Sequence, residues 1–468
     1  MIIPPTPGQT GISSGGLTYS LIMRIVTPGM LLWPLSLLTL VSAFPGSMNG
    51  HNGHSGHQGM HKSCPYANIQ DQAKPKTEHE KRFLFSLMKS PVDVTGEHAF
   101  QPPDFENGDQ RGPCPGLNAL ANHGYIPRSG VVSFTNVIAA INKVYGMGVD
   151  LATILAIMGT VWTGDVLSLD PSFSIGGPDT GVNNLLNNLG GVLGEPQGLI
   201  GSHNFIEADS SNTRDDLYVT GNSWTLNMDK FMAWYNMSTD GTYDMSLMAK
   251  RAKIRMDETI HTNPDFYYGP VTGLIARNAG YIFPGRLFRN HSAENPEGTL
   301  TKSHLRSFYG IYGPEHNLTY REGWERIPDN WYKTPVDYGL ISLNVDVIDF
   351  ILKYPELGSI GGNLGEVDSF AGVDLGDLTG GVLNLAGLLQ DNNLLCFVTE
   401  VLKFASPNAL AGIYSTVAKP LEFVTNILAV PLLNLTCPAF QDLQMGGKPL
   451  WEALQDNFPG ALKSNRAL

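Results

Sequence analysis

The segment Arg111-Gly-Pro-Cys-Pro-Gly-Leu-Asn-Ala-Leu-Ala-Asn-His-Gly-Tyr-Ile-Pro127 constrains this chain more than any other. Two prolines bracket Cys114 and fix the backbone on both sides of its sulfur. Pro115 suits the first position of a helix, where its fixed φ is ready-made and its missing N–H costs nothing. Leu117, Leu120 and Ala121 then recur at i, i+3 and i+4, which predicts a short helix stopped by Gly124 and Pro127. Cys114 would stand at the positive end of that helix, among N–H groups without intrahelical partners. Such a setting lowers a thiol's pKa and favours the thiolate, the form that acts as nucleophile or metal ligand. An inert buried cysteine is the bland alternative. The flanking prolines argue against it, because they hold the sulfur more tightly than packing requires.

The remainder predicts a mainly α fold. Ser133–Tyr145 opens on a capping serine and carries Val137, Ile138, Ile141 and Val144 on one face. Val149–Trp162, Asn227–Tyr235 with Asn227 as N-cap, Ser246–Thr262, and Val336–Tyr354 stopped by Pro355 read as further helices. The Gly- and Asn-rich stretch Asp165–Ile200 reads as loop with short helices, and Gly358–Gly387 as an irregular ordered extension. No stretch alternates with period 2 long enough for a sheet-based fold, and no fixed-period repeat occurs. A single large helical domain over 79–468, with few or no strands, is the expectation.

The N-terminal part speaks to compartment. Met30–Ala43 is an apolar run too short to span a bilayer as a helix, which takes roughly 20 residues. It ends in Val41-Ser42-Ala43, a small-residue pattern that signal peptidase accepts, with Arg24 upstream. Residues 1–43 therefore read as a signal peptide, with Met23 the expected true start. The expected product is secreted to the extracellular space and begins near Phe44. No later segment is long and apolar enough to anchor it in a membrane. Residues 44–78 are Gly- and His-rich and read as a propeptide or linker. His51, His54, His57, His61 and Cys64 could bind a metal ion, but the intervening glycines leave nothing to pre-organise a site. Sequons at Asn236, Asn290, Asn317 and Asn434 fit a secretory route. In that oxidising compartment a Cys396–Cys437 disulfide is the natural reading of the two C-terminal cysteines. The net charge of −13 argues against nucleic acid as a partner.

A second constellation lies in His203-Asn-Phe-Ile-Glu-Ala-Asp-Ser-Ser-Asn-Thr-Arg-Asp-Asp216. Glu207, Asp209, Ser210, Ser211, Asp215 and Asp216 supply hard oxygen donors of the kind that suit Mg²⁺ or Ca²⁺. An acidic loop ending in a helix N-cap would look the same locally, and EF-hand spacing is absent.

Together the two segments resemble the secreted fungal heme-thiolate peroxidases, the family of chloroperoxidases and unspecific (aromatic) peroxygenases. The resemblance runs from about Pro113 to at least Tyr332. It takes in Asn263-Pro-Asp-Phe266, Phe283-Pro284 and Gly323-Trp-Glu-Arg-Ile-Pro-Asp-Asn-Trp-Tyr332. It implies a helical heme-binding domain in which Cys114 is the axial ligand of heme b. It implies also a Mg²⁺ beside a heme propionate, held by the Glu207 carboxylate, the Ala208 carbonyl and the Ser211 hydroxyl. Cys396/Cys437 looks like the C-terminal disulfide of the longer members. The activity implied is hydrogen peroxide-dependent oxidation or oxygenation of a small organic substrate, or oxidation of halide. A thiolate ligand pushes electron density toward O–O cleavage.

One part of the family pattern is missing. The long members place a distal glutamate shortly before a Phe-Pro, with an arginine seven residues earlier. Anchored on Phe283-Pro284, those positions hold Gly280 and Gly273, and no carboxylate occurs between Asp265 and Glu294. General acid–base help is worth about 10²–10⁴-fold in rate. Asp209, Arg277 and the Asp257-Glu258 pair are candidates for the role, which stays unassigned. Arg277 would be a poor proton acceptor, and Asp257-Glu258 fits a solvated helix face. The gap motivates an alternative, a heme-binding protein of the same fold with weak or no turnover. A different class is a Cys-nucleophile hydrolase that pairs Cys114 with His123 or His203. Phe205, Ile206 and Phe283 mark the expected edges of an apolar ligand pocket.

Overall fold

A computed structural model describes residues 90–165, 171–182, 196–379, 384–398, 400–401 and 443–464. The expected signal peptide, the Gly/His-rich segment with Cys64, and Cys437 with the sequon at Asn434 lie outside the described residues. Helices dominate. The longer ones are α1 (Pro115–Asn122), α2 (Phe134–Tyr145), α3 (Val149–Thr163), α4 (Met228–Tyr235), α5 (Met245–Thr262), α6 (Asn278–Leu287), α7 (Lys302–Phe308), α8 (Leu340–Lys353), α9 (Leu450–Asn457) and α10 (Pro459–Ser464). A π-helical turn, Thr272–Arg277, runs straight into α6.

The short strands form small antiparallel pairings. β1 (Val131–Ser133) pairs with β2 (Ser172–Ser174), and β4 (Ile311–Tyr312) with β5 (Thr319–Tyr320). β3 (Tyr267–Tyr268), β6 (Gly361–Gly362) and β7 (Ala371–Gly372) make a three-stranded sheet in the order β3-β6-β7. β8 (Gln444–Met445) and β9 (Lys448–Pro449) close a C-terminal hairpin. The mainly α expectation holds, with strands serving as ties between loops.

Local sequence explains the helices that frame the cavity described below. α2 buries Val137, Ala140, Ile141 and Val144, the stripe expected of an amphipathic helix. Ser133 precedes it in extended conformation, but its side chain caps no N–H. α3 buries residues on nearly every side and packs on α2. Gly159 lets the two layers meet, since a Cβ there would lie 2.8 Å from the Phe173 ring on β2. α4 is capped as expected, Asn227 accepting from the Lys230 N–H at 3.1 Å. α5 begins at Met245 because Asp244 accepts the Leu247 N–H at 2.8 Å. α8 starts at Leu340 rather than near Val336: Asp150 of α3 accepts the Leu340 N–H at 3.0 Å and fixes the first turn there.

The C-terminal segment belongs to the same core. Gly460 of α10 lies so close to the chain before β3 that a Cβ would fall 1.9 Å from the Asp265 carbonyl oxygen. Its own carbonyl accepts from the Asn204 side chain at 3.0 Å. Cys396 is fully buried and disulfide-bonded.

Candidate active site

Cys114 is the N-cap of α1, in extended conformation, with Pro115 at the first helical position and Gly124 in the left-handed region after the last turn. Side-chain amides lock both ends. Asn118 accepts the Gly112 N–H at 3.0 Å and donates to the Gly112 carbonyl at 2.9 Å, fixing the loop before Cys114. Asn122 donates to the carbonyls of Gly323 and Glu325, both at 2.7 Å, and accepts from Arg111 Nε. Tyr145 of α2 donates its hydroxyl to the Gly116 carbonyl at 2.8 Å.

The sulfur does not behave as the helix dipole alone predicts. Burial pushes the Cys114 thiol up, while the Leu117 and Gly116 N–H groups and Arg214 pull it down and Glu325 pushes it up. The desolvation cost of a charge in an apolar wall outweighs the first-turn N–H groups. Burial thus opposes the charge that the helix start favours.

The acidic segment forms a tight loop that lines the same cavity. The Phe205, Ile206 and Glu207 N–H groups all point at the Ser202 carbonyl. Glu207 is buried; its Oε2 lies 2.6 Å from His203 Nδ1 and its Oε1 has no partner. The Ser211 hydroxyl is likewise buried without a partner. Burial opposes the His203 charge, but Glu207, Asp209 and Asp216 raise its pKa to about 9. The same crowding of carboxylates, after burial itself, keeps Asp209 above the usual carboxylate range.

Three buried arginines hold this loop in shape. Ser210 sits at φ 62°, a costly conformation for a residue with a side chain. Its carbonyl accepts from Arg277 Nε at 3.2 Å and from the Tyr281 hydroxyl at 2.7 Å, and its hydroxyl accepts from Arg277 Nη2. The next carbonyl, of Ser211, accepts from Arg255 Nε at 3.0 Å, and that of Asn212 from Arg251 Nη2 at 3.2 Å. Three successive peptide groups are thus clamped from α5 and the π turn. Nothing in the sequence announces this; Arg251 and Arg255 read as ordinary surface charges on a helix.

Cys114, Glu207, Ala208 and Ser211 all line one cavity of about 300 Å³. Its other walls are mostly apolar, from Val137 and Ile141 of α2, Leu155 and Met158 of α3, and Phe283 and Leu287 of α6. Of the expected edges, Ile206 and Phe283 face the cavity, whereas Phe205 packs edge-on against Trp162 with ring centres 6.1 Å apart.

The π turn shapes the remaining wall. The N–H groups of Leu274 and Ala276 reach five residues back, to Gly269 and Val271, at 3.0 and 2.9 Å. Such an inserted turn changes which side chains face inward. Arg277 and Gly280 line the cavity and Gly273 does not: a Cβ at Gly273 would meet the Tyr268 ring at 2.6 Å. Gly280 has the opposite surroundings, with nothing within 4 Å of a Cβ. In place of the arginine and glutamate seven residues apart that the resemblance implies, this wall carries Arg277 and Gly280, three residues apart.

The candidates for proton transfer separate clearly. Asp209 is buried beside His203 and does not line the cavity. Asp257 pairs with Lys253, and Glu258 with Arg255, both on the half-exposed side of α5. Arg277 reaches the cavity with its donors already committed to Ser210, Asn278 and Ala252. The hydrolase reading loses its base. No histidine lines the cavity among the described residues. His123 is fully buried, with Nδ1 on the His98 carbonyl at 2.7 Å and Nε2 accepting the Ile327 N–H at 3.1 Å. His203 is occupied by Glu207.

A helical domain with a prolyl-bracketed cysteine and an oxygen-donor loop facing one apolar cavity has the makings of a cofactor-dependent oxidoreductase. Comparison with known proteins gives the class: residues 98–336 match the family described as Peroxidase, family 2, and the chain belongs to it. It is 57% identical to "Aromatic peroxidase fscJ" of Fusarium equiseti, across 92% of this chain and 96% of that protein. It is 38% identical to "Dothistromin biosynthesis peroxidase dotB" of Dothistroma septosporum, across 82% and 91%. An "Aromatic peroxygenase" of Coprinellus radians is 31% identical across 36% of this chain and 62% of its own length. The protein is a peroxide-dependent oxidoreductase acting on an organic substrate, and its family suggests a heme cofactor. No helix among the described residues is long and apolar enough to cross a membrane.

Proposed function

We propose that the protein is a heme-thiolate peroxidase or peroxygenase in which Cys114 ligates the heme iron and Glu207, the Ala208 carbonyl and Ser211 hold a Mg²⁺ beside a propionate. The observation that carries this reading is convergence. Residues some ninety positions apart supply a sulfur and a set of oxygen donors to one apolar cavity, and two of those donors, Glu207 Oε1 and Ser211 Oγ, are buried without partners. Buried polar groups are rarely left so, and hard oxygen donors suit a divalent cation. The donor set fits a heme with an adjacent cation.

When bound, a thiolate-ligated heme supplies the electron-rich iron that favours cleavage of peroxide and oxidation of the substrate. The chain's residues do the rest. Pro113 and Pro115 hold Cys114 in place, and the Gly116 and Leu117 N–H groups stabilise charge on its sulfur. The arginine clamps keep the Glu207–Ser211 loop at one geometry. The aliphatic and aromatic walls exclude water and accept an apolar, aromatic molecule. A secreted, glycosylated protein fits this reading: Asn236 and Asn317 are exposed and open to modification, whereas the half-buried Asn290 side chain accepts the Tyr332 N–H at 2.8 Å. A Cys396–Cys437 bridge and a heme domain over residues 79–468 belong to the same proposal.

Absorption spectroscopy of the purified protein tests it. The reduced carbon monoxide complex should show the red-shifted Soret band of thiolate ligation, and Cys114→Ala should lose that band. Protein that takes up no heme, or keeps the band in Cys114→Ala, would overturn the reading.

A further inference from the structure

Two buried charges close to Cys114 are left unused by the reading above. Arg214 stands in the cavity wall with Cys114, and its Nη2 lies 3.9 Å from Glu325 Oε1. Glu325 is 0% exposed, and neither carboxylate oxygen has a hydrogen bond of ordinary geometry among the described residues. The guanidinium is held in place elsewhere. Its Nε donates to the Trp224 carbonyl at 3.2 Å and its Nη1 to Thr213 Oγ1 at 2.6 Å. Its carbon lies 6.0 Å from the centre of the Tyr309 ring. Glu325 is carried by the segment whose carbonyls Asn122 ties to α1, so its charge is fixed relative to the helix that Cys114 begins.

This is a poor arrangement for stability. A charge-assisted bond closes at roughly 2.7–2.9 Å, and a buried carboxylate without such bonds keeps the full cost of leaving water. Opposite charges held apart do not cancel at a third point nearby, and Cys114 is such a point: it lines the same cavity as Arg214 and begins the helix to which the Glu325 carbonyl is tied. Asn118, whose side chain braces the loop before Cys114, also acts on the Glu325 carboxyl. Buried charges gathered at a reactive group without good pairing mark function more often than stability.

We propose that Arg214 and Glu325 are opposed positioning charges that set how strongly Cys114 donates to a bound heme iron, Arg214 withdrawing density and Glu325 restoring it. The inference rests on Cys114 being the iron ligand. Its signature is a signed pair of effects. A fixed cation stabilises the more negative ferrous centre and raises the ferric/ferrous potential; a fixed anion lowers it.

The test is a spectroelectrochemical titration of the heme-loaded wild type, Arg214→Gln, Arg214→Lys, Glu325→Gln and the Arg214→Gln/Glu325→Gln double variant. The reduced carbon monoxide band is recorded for each. Arg214→Gln should lower the midpoint potential, Glu325→Gln should raise it, and the double variant should fall between them. Arg214→Lys, which keeps the charge, should stay nearer to wild type than Arg214→Gln. Should Glu325→Gln not fold, Glu325→Met removes the same charge at similar volume, and the Arg214 pair of variants still decides the sign. Potentials that move in the same direction for both charge removals, or do not move, overturn the inference. A wild type without the red-shifted band would overturn the ligand assignment instead, so the two failures are distinguishable.

Discussion

Gly280→Glu should turn this protein into a faster peroxide-activating enzyme. Gly280 lines the cavity on α6, and a Cβ there meets nothing within 4 Å, so the side chain enters open space. Replacing glycine in a helix also gains roughly 0.5–1 kcal/mol of helix stability. The new carboxylate would stand one turn beyond Arg277, whose charge favours its ionised form against the pull of desolvation. No free carboxylate near Gly280 faces the cavity among the described residues; Glu207 lines it with Oε2 on His203 and Oε1 in the proposed metal site. Positioned acid–base transfer is worth about 10²–10⁴-fold, equivalent to roughly 3–5 kcal/mol off the barrier. The assay is initial rate against peroxide concentration with an aryl-ether substrate, on protein matched for heme content. Gly280→Glu should raise kcat/KM for peroxide by at least about 10²-fold, and Gly280→Gln, equal in size but without the carboxylate, should not. A Gly280→Glu rate within twofold of wild type would refute the reasoning, because some other group would then already be moving the proton.

Other consequences can be checked with simpler measurements. Gly273→Ala should cost about 1–3 kcal/mol by overpacking, since its Cβ would lie 2.6 Å from the Tyr268 ring and 2.8 Å from that residue's carbonyl carbon; urea unfolding reads this. His123 has its pKa pushed down to about 4 by burial from an ordinary 6.5. Its neutral form is needed for Nε2 to accept the Ile327 N–H, so the stability it contributes is present above pH 6.5 and lost as pH falls toward 4. The loss is on the order of 3 kcal/mol, and His123→Gln should show a smaller drop between pH 7 and pH 4 in the same assay. Arg277→Met should leave Ser210 unclamped and lower affinity for added Mg²⁺ by about 10-fold or more, measured as Mg²⁺-dependent thermal stabilisation. Glu207→Gln should weaken that stabilisation at least as much.

Much of the proximal half was legible in the chain because its determinants are local. Proline at the first helical position, the leucine stripe and a stopping glycine act within one helix, and α1 follows them. Asn227 as a cap and the buried face of α2 were readable for the same reason. The oxygen donors could be named, since a dense run of carboxylates and hydroxyls is a compositional fact. What the sequence hides is non-local. The thiol's pKa depends on how apolar its surroundings become after folding, and burial reverses the direction that the helix terminus suggests. Arg251, Arg255, Arg277 and Glu325 carry no spacing signal that separates them from solvated charges. The π turn is invisible too, because its extra residue is a matter of which carbonyl each N–H reaches. It moves the inward-facing pair from positions seven apart to Arg277 and Gly280.

That turn also joins the two sides of the cavity. Arg277 is the last residue of the π turn and the clamp on Ser210, so the backbone that sets the Gly280 wall also sets the Glu207–Ser211 loop. Ser210 holds a left-handed φ only because Arg277, Tyr281 and the Asp216 carboxylate, which accepts its N–H at 2.7 Å, bind every polar group it has. Strain of about 1–3 kcal/mol at one residue is then maintained by contacts from α6 and the π turn. A helix of ordinary pitch through residues 272–277 would rotate Arg277 away from Ser210 and release that strain. The wall and the loop therefore cannot vary independently. The route to a more active peroxide site in this scaffold lies through Gly280, where side-chain space is open, rather than through Gly273, where the π turn has already filled it.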